Sequence, residues 1–465
     1  MKPYLIKPLL LLALSLTWVA CGSQTDTSDQ APGAASIAAF THAKVITMQN
    51  NNVLDDQTVL VKDGKIEAIA NFGSIEIPEG AEIIEANGQY LMPGLAEMHA
   101  HIPTPSQGEV EETLFLYLAG GVTTIRGMLG DPFHLKLREQ VKNGEVLGPR
   151  IYTSGPSLNG NSTPDVESAQ TMVREQKAAG YDFLKIHPGL TLEVFDAMVE
   201  TAKEEGINFS GHVSRQVGIR HALASGYASV DHLDQYIEGM VPEDTGVDPG
   251  ENGFFGFNFT DLADSSLMSG LILETKQAGV WQVPTQCLAE RWAGLIPAAQ
   301  LAQEPEMKYM KKSVIQGWTD RGTDMQADRD PGQVQRYIDI RRKLIKAMQD
   351  GGVGLLLGSD APQVFNVPGF SAQHELEMYV DAGLTNYQAL VTGTTNPAAF
   401  FKVEGEYGVI APGASADLIL LKDNPLEDIT NLRAKEGVMI KGEWLSKERI
   451  AEELAKIADK YATGE

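Results

Sequence analysis

In the stretch Pro93-Gly94-Leu95-Ala96-Glu97-Met98-His99-Ala100-His101, an apolar run leads into two histidines two positions apart. In an extended strand, residues at positions i and i+2 point to the same face, so the two imidazoles are expected to converge on one point. Neutral imidazole is a common protein ligand of divalent transition metals, and the pair therefore predicts half of a metal site at a strand end. The alternative is a pair of partly exposed histidines, because His-x-His alone is a weak signal.

Strand-like and helix-like segments alternate on the C-terminal side of this stretch, which is typical of a parallel α/β architecture. Strands are predicted at 94–99, 122–126, 150–153, 181–186, 207–212, 228–232, 280–284 and 352–358. Eight such units match a (β/α)₈ TIM barrel, which we assign to residues 93–402. The chemistry of such barrels is located at the C-terminal ends of the strands.

The segments on either side of the predicted barrel have the short alternating runs of antiparallel strands. Residues 59–69 predict a hairpin with Asp63-Gly64 at its turn, and residues 416–421 and 437–440 have the same strand character. We therefore expect 39–92 and 403–446 to pair into one small composite β-sandwich. Residues 447–465 carry apolar side chains at helical spacing and predict a C-terminal packing helix.

The first residues of the chain have the layout of an export signal. Lys2 and Lys7 precede a leucine-rich run, and Ala20 stands directly before Cys21. Residues 1–20 are too short for a membrane-spanning helix and resemble a bacterial lipoprotein signal, after which Cys21 is acylated; ordinary secretion is the alternative. Residues 21–38 read as a flexible tether. This interpretation places the protein at the periplasmic or cell-surface face of a bacterial membrane, held only by a lipid anchor.

The composition of the 465-residue chain indicates a globular protein with a large core. A formal charge of −25 argues against nucleic acid as a partner, because phosphates would be repelled. Cys287 is the only cysteine besides Cys21, so no intramolecular disulfide is expected. A small-molecule substrate is the expected partner, and a homo-oligomer is compatible with the composition.

Polar residues stand at the predicted strand ends where the chemistry of a barrel is expected. They are His99, His101, Lys185, His187, His212, His232 and Asp360. Lys185 lies within an apolar strand, and a buried ammonium is costly, so this lysine is paired, neutral or modified, unless it extends to the strand end or is held by a carboxylate. His212 and His232 are twenty residues apart, which fits one strand-helix unit, although a satisfied core histidine is the alternative for either one. Asp360 is interpreted as a metal ligand, a general base or a helix N-cap.

The chain resembles the amidohydrolase superfamily, close to its imidazolonepropionase-like and prolidase-like group. The matching residues include His99-Ala100-His101, Phe183-Leu184-Lys185-Ile186, Gly211-His212, Val230-Asp231-His232 and Gly358-Ser359-Asp360, with 394–398 and 413–418 near the C-terminus. The resemblance implies two divalent ions, zinc by default, with one on His99, His101 and Asp360 and the other on His212 and His232. Lys185, carboxylated by carbon dioxide, would bridge the two ions. Glu97 and Asp231 depart mildly from the family pattern, and neither removes a ligand.

This resemblance implies hydrolysis of a C–N bond in an amide, dipeptide or cyclic amide, by attack of a hydroxide that bridges the two ions, with Asp360 transferring the proton. Hydrolysis of a lactone or ester at the same site is an alternative. A catalytically silent, surface-anchored binding protein is the alternative from another class. Arg126, His187, Arg215 and His374 are predicted to meet the substrate, each with a structural or surface role as the alternative. The loops at 239–262 and 285–324 are expected to form pocket walls or, equally, a satellite core.

Overall fold

The computed structural model describes residues 37–105 and 109–463. The predictions for residues 1–20, for Cys21 and for most of the tether lie outside these residues. The strands are β1 (Ile37–Ile46), β2 (Val53–Lys62), β3 (Lys65–Asn71), β4 (Glu82–Glu85), β5 (Tyr90–Pro93), β6 (Leu95–Ala100), β7 (Val122–Gly127), β8 (Arg150–Thr153), β9 (Leu184–Ile186), β10 (Phe209–Gly211), β11 (Ser229–Asp231), β12 (Trp281–Val283), β13 (Leu418–Leu421), β14 (Lys435–Ile440) and β15 (Glu443–Ser446).

The α-helices alternate with the central strands and then follow them. They are α1 (Val110–Ala119), α2 (Pro132–Lys142), α3 (Val166–Ala179), α4 (Leu192–Glu205), α5 (Gly218–Ser225), α6 (Met268–Ala278), α7 (Gln286–Ala293), α8 (Ala298–Leu301), α9 (Lys312–Gln326), α10 (Pro331–Gly351), α11 (Phe370–Asp381), α12 (Asn386–Gly393), α13 (Thr395–Phe401) and α14 (Lys447–Thr463). In the described part of the chain, no helix combines the length and apolar character needed to cross a membrane.

Strands from the two ends of the chain form one mixed sheet. Its order is β15-β14-β13-β5-β1-β2-β3, with β4 pairing with β1. Strand β13 runs antiparallel to β5, with Leu420 opposite Leu91. Phe40, Val45 and Leu418 belong to the cluster of buried apolar side chains on this sheet. The β-sandwich expected for these segments, two sheets packed face to face, stays a prediction.

The junction between this sheet and the central strands fixes the start of β6. The Gly94 N–H donates to Asp417 O at 2.8 Å, and the Leu95 N–H donates to Gly121 O at 2.9 Å. A Cβ atom at Gly94 would lie 2.1 Å from Thr123 Oγ1, so only glycine allows this close approach. The sheet therefore holds in place the strand that carries His99.

The central strands form two parallel sheets that hydrogen bonds connect. Strands β6-β7-β8 form the first sheet and β9-β10-β11-β12 the second. A parallel bridge between Ser154 and Phe183 links the two sheets at one side. At the other side, Gln282 bridges to Leu355, and the Met98 N–H donates to Leu357 O at 2.7 Å. The result is a TIM-barrel-like α/β fold.

The segment 352–358, expected to be the eighth strand, makes one isolated bridge, from Leu355 to Gln282, and is not a regular strand. Glycines bring its backbone very close to neighbouring residues. A Cβ atom at Gly354 would lie 2.2 Å from the Trp281 ring. A Cβ atom at Gly358 would lie 2.4 Å from the Val283 side chain and 2.9 Å from the backbone nitrogen of His99. This close contact aligns the segment that delivers Asp360 with β6 and β12.

Helix ends and apolar faces follow from the local sequence. In α3, Asp165 accepts a hydrogen bond from the Ser168 N–H at 2.9 Å, and Gly180 ends the helix with φ of +87°. Helix α14 buries Ile450, Ile457 and Tyr461 in a cluster of apolar side chains shared with β14, β15 and α1.

Candidate metal centre and active site

The first group of site residues lies where β6 meets the segment after residue 358. His101 Nε2 lies 2.6 Å from Asp360 Oδ1, and His99 Nε2 lies 3.3 Å from the same oxygen. One ligand atom from each of these three residues lies within 4.8 Å of the other two. His99 and Asp360 are buried, and His101 is partly exposed. The residues expected to hold one ion are therefore brought together around a single point.

The second group follows β10 and β11. The rings of His212 and His232 have centroids 4.4 Å apart, and His232 lies 4.6 Å from His99. His232 Nδ1 lies 2.9 Å from Thr285 Oγ1, and His212 Nδ1 lies 3.1 Å from Asp234 Oδ2. His232 Nε2 is buried and has no hydrogen-bond partner in the described ranges 37–105 and 109–463. A buried polar atom without a partner costs free energy, so this nitrogen fits a site that a ligand completes.

Lys185 lies beneath these histidines and is fully buried. Its Nζ atom lies 3.4 Å from Asp231 Oδ2, and the same oxygen lies 3.1 Å from His99 Nδ1. The other carboxylate oxygen of Asp231 lies 3.2 Å from Arg126 Nη2. Asp231, which the sequence marked only as a departure from the family pattern, is thus the anion that connects the lysine to the histidines.

Burial and local charge set the ionisation of the site. Burial raises the pKa of Asp231, but the charges of Lys185 and Arg126, with smaller contributions from other groups, outweigh burial. The pKa of Asp231 is therefore below its ordinary value. Burial, opposed by Asp231, lowers the pKa of Lys185. A lysine with a lowered pKa is closer to the neutral amine that carboxylation requires.

Four imidazoles near the site, those of His99, His187, His212 and His232, are held in their neutral form. Burial is the main cause, and the charge of Lys185 is the second. Together they lower the pKa of His99 well below its ordinary value, the pKa of His212 to about 3 and the pKa of His187 to about 2. Burial and then His212 lower the pKa of His232 in the same direction. Neutral imidazole has the free lone pair that a metal ion binds, so the donor set fits a divalent cation.

Two of these residues have strained backbones. His232 has φ of +65° and Asp360 has φ of +66°, in the left-handed region that costs about 1–3 kcal/mol for residues other than glycine. Both side chains face the cluster of histidines. The fold therefore maintains an unfavourable backbone where it presents these donors.

Arg126 lies in the interior and lines neither of the two cavities beside the histidines. Its side chain is fully buried, and Nε donates to Met98 O at 2.7 Å while Nη1 donates to Ser229 Oγ at 3.0 Å. Together with the contact to Asp231, these bonds commit the guanidinium to the interior. A substrate contact of Arg126 stays a prediction, which this inward orientation of the side chain does not favour.

The other residues predicted to meet the substrate lie in different places. His187 stacks against His212 with centroids 5.0 Å apart and lines the same cavity as His99 and His101. Arg215 is exposed, donates to Gly250 O at 2.7 Å and lines an adjoining cavity. Their roles in substrate binding stay predictions.

His374 belongs to a separate polar cluster. Its Nε2 atom lies 2.6 Å from Glu306 Oε1, while Glu304 lies 2.7 Å from Arg291 Nη2. Glu304, Glu306 and His374 have donor atoms close enough together for a metal ion. Arg291 supplies the positive charge there, and His374 is directed to Glu306. A substrate contact of His374 stays a prediction.

The two long loops combine both expected roles. Phe255 stacks on His232, with centroids 4.7 Å apart and planes at 11°, and Phe254 stacks on Trp292 at 4.1 Å. Phe257 and Phe259 belong instead to the main apolar core. The loops therefore supply one wall of the site and anchor that wall in the core.

Two cavities adjoin the histidines. One of about 310 Å³ is lined by His99, His101, His187, His212 and Asp360, together with loop residues. The other, of about 760 Å³, shares His212, Phe254 and Phe255 with it. Volumes of this size are typical of small-molecule sites.

The chain was also compared with known proteins. The model of the Amidohydrolase family matches residues 90–445. The chain belongs to the amidohydrolase family. Proteins of this family typically use a divalent metal ion, and this amidohydrolase is a hydrolase that acts on carbon–nitrogen bonds.

Individual relatives of this amidohydrolase are distant. Imidazolonepropionase of Idiomarina loihiensis is 21% identical over 394 residues, which are 81% of this chain and 88% of the relative. Ochratoxinase of Aspergillus niger is 22% identical over 415 residues, which cover 75% of this chain and 73% of the relative. Among solved structures, bottromycin amidohydrolase superposes with a TM-score of 0.70 at 20% identity, covering 91% of this amidohydrolase and 90% of that chain.

Proposed function

We propose that this amidohydrolase cleaves an amide, dipeptide or cyclic amide at a binuclear metal centre. His99, His101 and Asp360 would hold one ion, His212 and His232 the other, and carboxylated Lys185 would bridge them. The observation that carries the proposal is the convergence of these donors from separate strand ends around the unpartnered Nε2 atom of His232. Divalent ions held there supply Lewis acidity, which acidifies water and polarises a carbonyl group.

The protein's own residues handle the proton. Asp360 lines the cavity, and its Oδ1 atom is 2.6 Å from His101 Nε2. We assign to Asp360 the proton of the attacking water and its delivery to the departing nitrogen. A C–O bond to the acyl carbon forms, the C–N bond breaks, and nitrogen leaves with the added proton. The products are one carboxylic acid and one amine, which remain parts of a single molecule when the substrate is a cyclic amide.

Neighbouring residues position the donors. Asp231 contacts both His99 and Lys185, and Arg126 fixes the opposite carboxylate oxygen. Thr285 and Asp234 occupy the Nδ1 atoms of His232 and His212, which leaves the Nε2 atoms as the donors to metal. Such partners fix the orientation of a ligating imidazole and typically change metal affinity 10–100-fold when they are removed.

The lysine modification, the metal and the complete fold are part of the same proposal. A neutral Lys185 amine adds carbon dioxide and releases a proton to give the carbamate. Imidazole and carboxylate donors favour zinc among the available divalent ions. The bridges at Ser154, Gln282 and Ala100 support the proposal that the (β/α)₈ barrel is closed. We also propose that the sheet formed by the two ends of the chain is part of the predicted β-sandwich.

We also propose export, on the strength of the sequence pattern of residues 1–20 and Cys21. Acylation of Cys21 would hold the protein on a bacterial membrane surface. Mass analysis of the mature N-terminus after expression in a bacterial host tests this proposal; an unprocessed Met1 would contradict it.

Metal analysis combined with a substrate panel tests the proposed reaction. We expect about two divalent ions per chain, extra mass on Lys185, and hydrolysis within a panel of dipeptides and N-acyl amino acids. His232→Asn should lose both metal and activity. His221→Asn is the matched control, since His221 pairs with Asp196 at 2.6 Å on the surface.

Three outcomes would overturn the proposal. The first is a metal-free wild-type protein that cleaves amides at full rate. The second is a His232→Asn variant with wild-type metal content and activity. The third is hydrolysis of lactones with no detectable hydrolysis of any amide or lactam in the panel, which would assign the site to C–O bonds.

A further inference from the structure

The smaller cavity, of about 310 Å³, has a distinctive wall beyond the metal-type residues. Leu129, Phe254, Trp292 and Met325 contribute apolar side chains to it. Arg321, on α9, is the only lysine or arginine among its lining residues in the described part of the chain. An apolar wall with one cation is typical of a site that orients a ligand through a single charged group.

The guanidinium of Arg321 is not committed to the protein. It makes no hydrogen bond or ion pair with any residue within 37–105 or 109–463. Neighbouring arginines do have partners: Arg329 lies 3.6 Å above the Trp292 ring, and Arg336 lies 2.6 Å from Asp261 Oδ1. The lining position of Arg321 therefore presents free donors to whatever enters the cavity.

The chemistry of these donors selects a carboxylate. A guanidinium forms two parallel hydrogen bonds with a planar carboxylate, and these are about twice as strong as bonds between neutral groups. A carboxylate beside an apolar wall needs such a partner to offset its loss of water. The chain's net charge of −25 supplies no general attraction for anions, so the cation must act locally.

We propose that Arg321 is a specificity-determining residue that binds the carboxylate of the substrate. Since this inference rests on the proposed function, it narrows the substrate class to N-acyl amino acids and dipeptides whose C-terminal residue is apolar. The amino-acid side chain would pack against Phe254 and Trp292. The volume of about 310 Å³ favours one amino-acid-sized group over a longer peptide.

A matched ligand pair tests the proposal without depending on turnover. N-acetyl-L-phenylalanine carries the carboxylate, and N-acetylphenethylamine lacks it. Binding of each to the full chain is measured by calorimetry after the metal has been removed with a chelator, so that neither amide is hydrolysed during the titration. Wild type should prefer the carboxylate ligand, and Arg321→Met should weaken its binding about 10–100-fold, the range for hydrogen bonds to charged groups. Binding of the neutral ligand should change less than about twofold.

Two further variants make the result specific. Arg336→Met removes a guanidinium from the surface of α10 and should leave the preference for the carboxylate unchanged. Arg215→Met removes the guanidinium of the larger cavity; loss of the preference in this variant but not in Arg321→Met would overturn the assignment. So would an absence of preference in wild type, or equal weakening of both ligands by Arg321→Met.

Kinetics separate this inference from the proposed function. If N-acetyl-L-phenylalanine or other amides are cleaved but Arg321→Met has no selective effect on the carboxylate substrates, the inference fails and the proposed function stands. If the carboxylate ligand binds through Arg321 but the metal-loaded protein cleaves no member of the amide panel, the proposed function fails while the anion site remains.

Discussion

Replacing Asp231 with asparagine should destabilise the protein strongly even without metal. The carboxylate has one oxygen 3.2 Å from Arg126 Nη2 and the other 3.4 Å from Lys185 Nζ, and all three side chains are fully buried. Asp231→Asn preserves the shape but leaves both cations without their anion. Removing one partner of a buried ion pair costs about 3–5 kcal/mol, so we expect a loss of at least about 3 kcal/mol in the free energy of unfolding.

Asp234→Asn provides the matched control. Asp234 is also buried beside a histidine, but burial raises its pKa to about 7, so its charge is poorly compensated in the folded protein. Because the raised pKa makes the ionised form unfavourable in the folded protein at pH 7, neutralising this residue should raise the free energy of unfolding and not lower it. Urea unfolding in the presence of a chelator, followed by fluorescence and circular dichroism, measures both variants. Equal midpoints for Asp231→Asn and wild type, or a larger loss for Asp234→Asn, would refute the reasoning.

Three other predictions follow from contacts near the site and in the core. Thr285→Val removes the hydrogen bond to His232 Nδ1 and should lower metal affinity about 10–100-fold in a competition titration, whereas Thr201→Val, on α4, should not. Gly354→Ala should lower the free energy of unfolding by about 1–3 kcal/mol because its Cβ would lie 2.2 Å from the Trp281 ring. Gly270→Ala, in an open helical position, should raise the free energy of unfolding by up to about 1 kcal/mol, and thermal melts compare the two variants. Glu375→Gln should remove a pH dependence: burial raises the pKa of Glu375 from 4.5 to about 7, so the folded protein binds more protons than the unfolded chain between these values.

The sign and size of the Glu375 effect can be stated in advance. Its contribution to stability is complete below about pH 4.5 and is lost as the pH rises through about 7. The difference in unfolding free energy between wild type and Glu375→Gln should therefore change by about 3 kcal/mol across this window, with wild type losing stability. A constant difference from pH 4.5 to 7 would show that the carboxyl group is ionised throughout. For Thr285→Val, unchanged affinity would contradict an orienting role; for the glycines, equal melting temperatures would contradict the packing argument.

The sequence predicted which side chains would lie together at the site because their positions follow from strand order. His99, Lys185 and His232 lie in or directly after strand-like segments, and parallel strands bring their C-terminal ends to one rim. Asp360 could be placed on the same rim although the segment before it forms only one isolated bridge. The regular spacing of the strand-helix units therefore predicts which residues lie at this rim.

The direction in which a side chain points from its strand could not be predicted as well. Arg126 lies near a strand end like the histidines, but its side chain points into the interior, and sequence spacing does not determine which face of a fully buried strand points inward. Asp231 is adjacent to His232, and the positive φ of His232 allows both neighbours to reach the site. No pattern of polar and apolar residues signals such a backbone conformation.

Contacts made by helices and loops could not be deduced from spacing at all. His374 meets Glu306 because α11 and the segment after α8 pack together, and Arg321 reaches the cavity from α9. These relationships depend on how long insertions fold over the strands. Their signal in the sequence is limited to the lengths of the insertions and their aromatic content.

The most direct test of the account is amide hydrolysis before and after metal removal and zinc return in one preparation. We predict that chelation lowers kcat/KM on a cleaved amide at least about 100-fold, since water without a metal ion has a pKa near 15.7 instead of about 7. Activity should return with about two equivalents of zinc, together with the carbamate mass on Lys185. Full activity in protein shown to contain no metal would contradict the central claim that these converging donors form the catalytic centre.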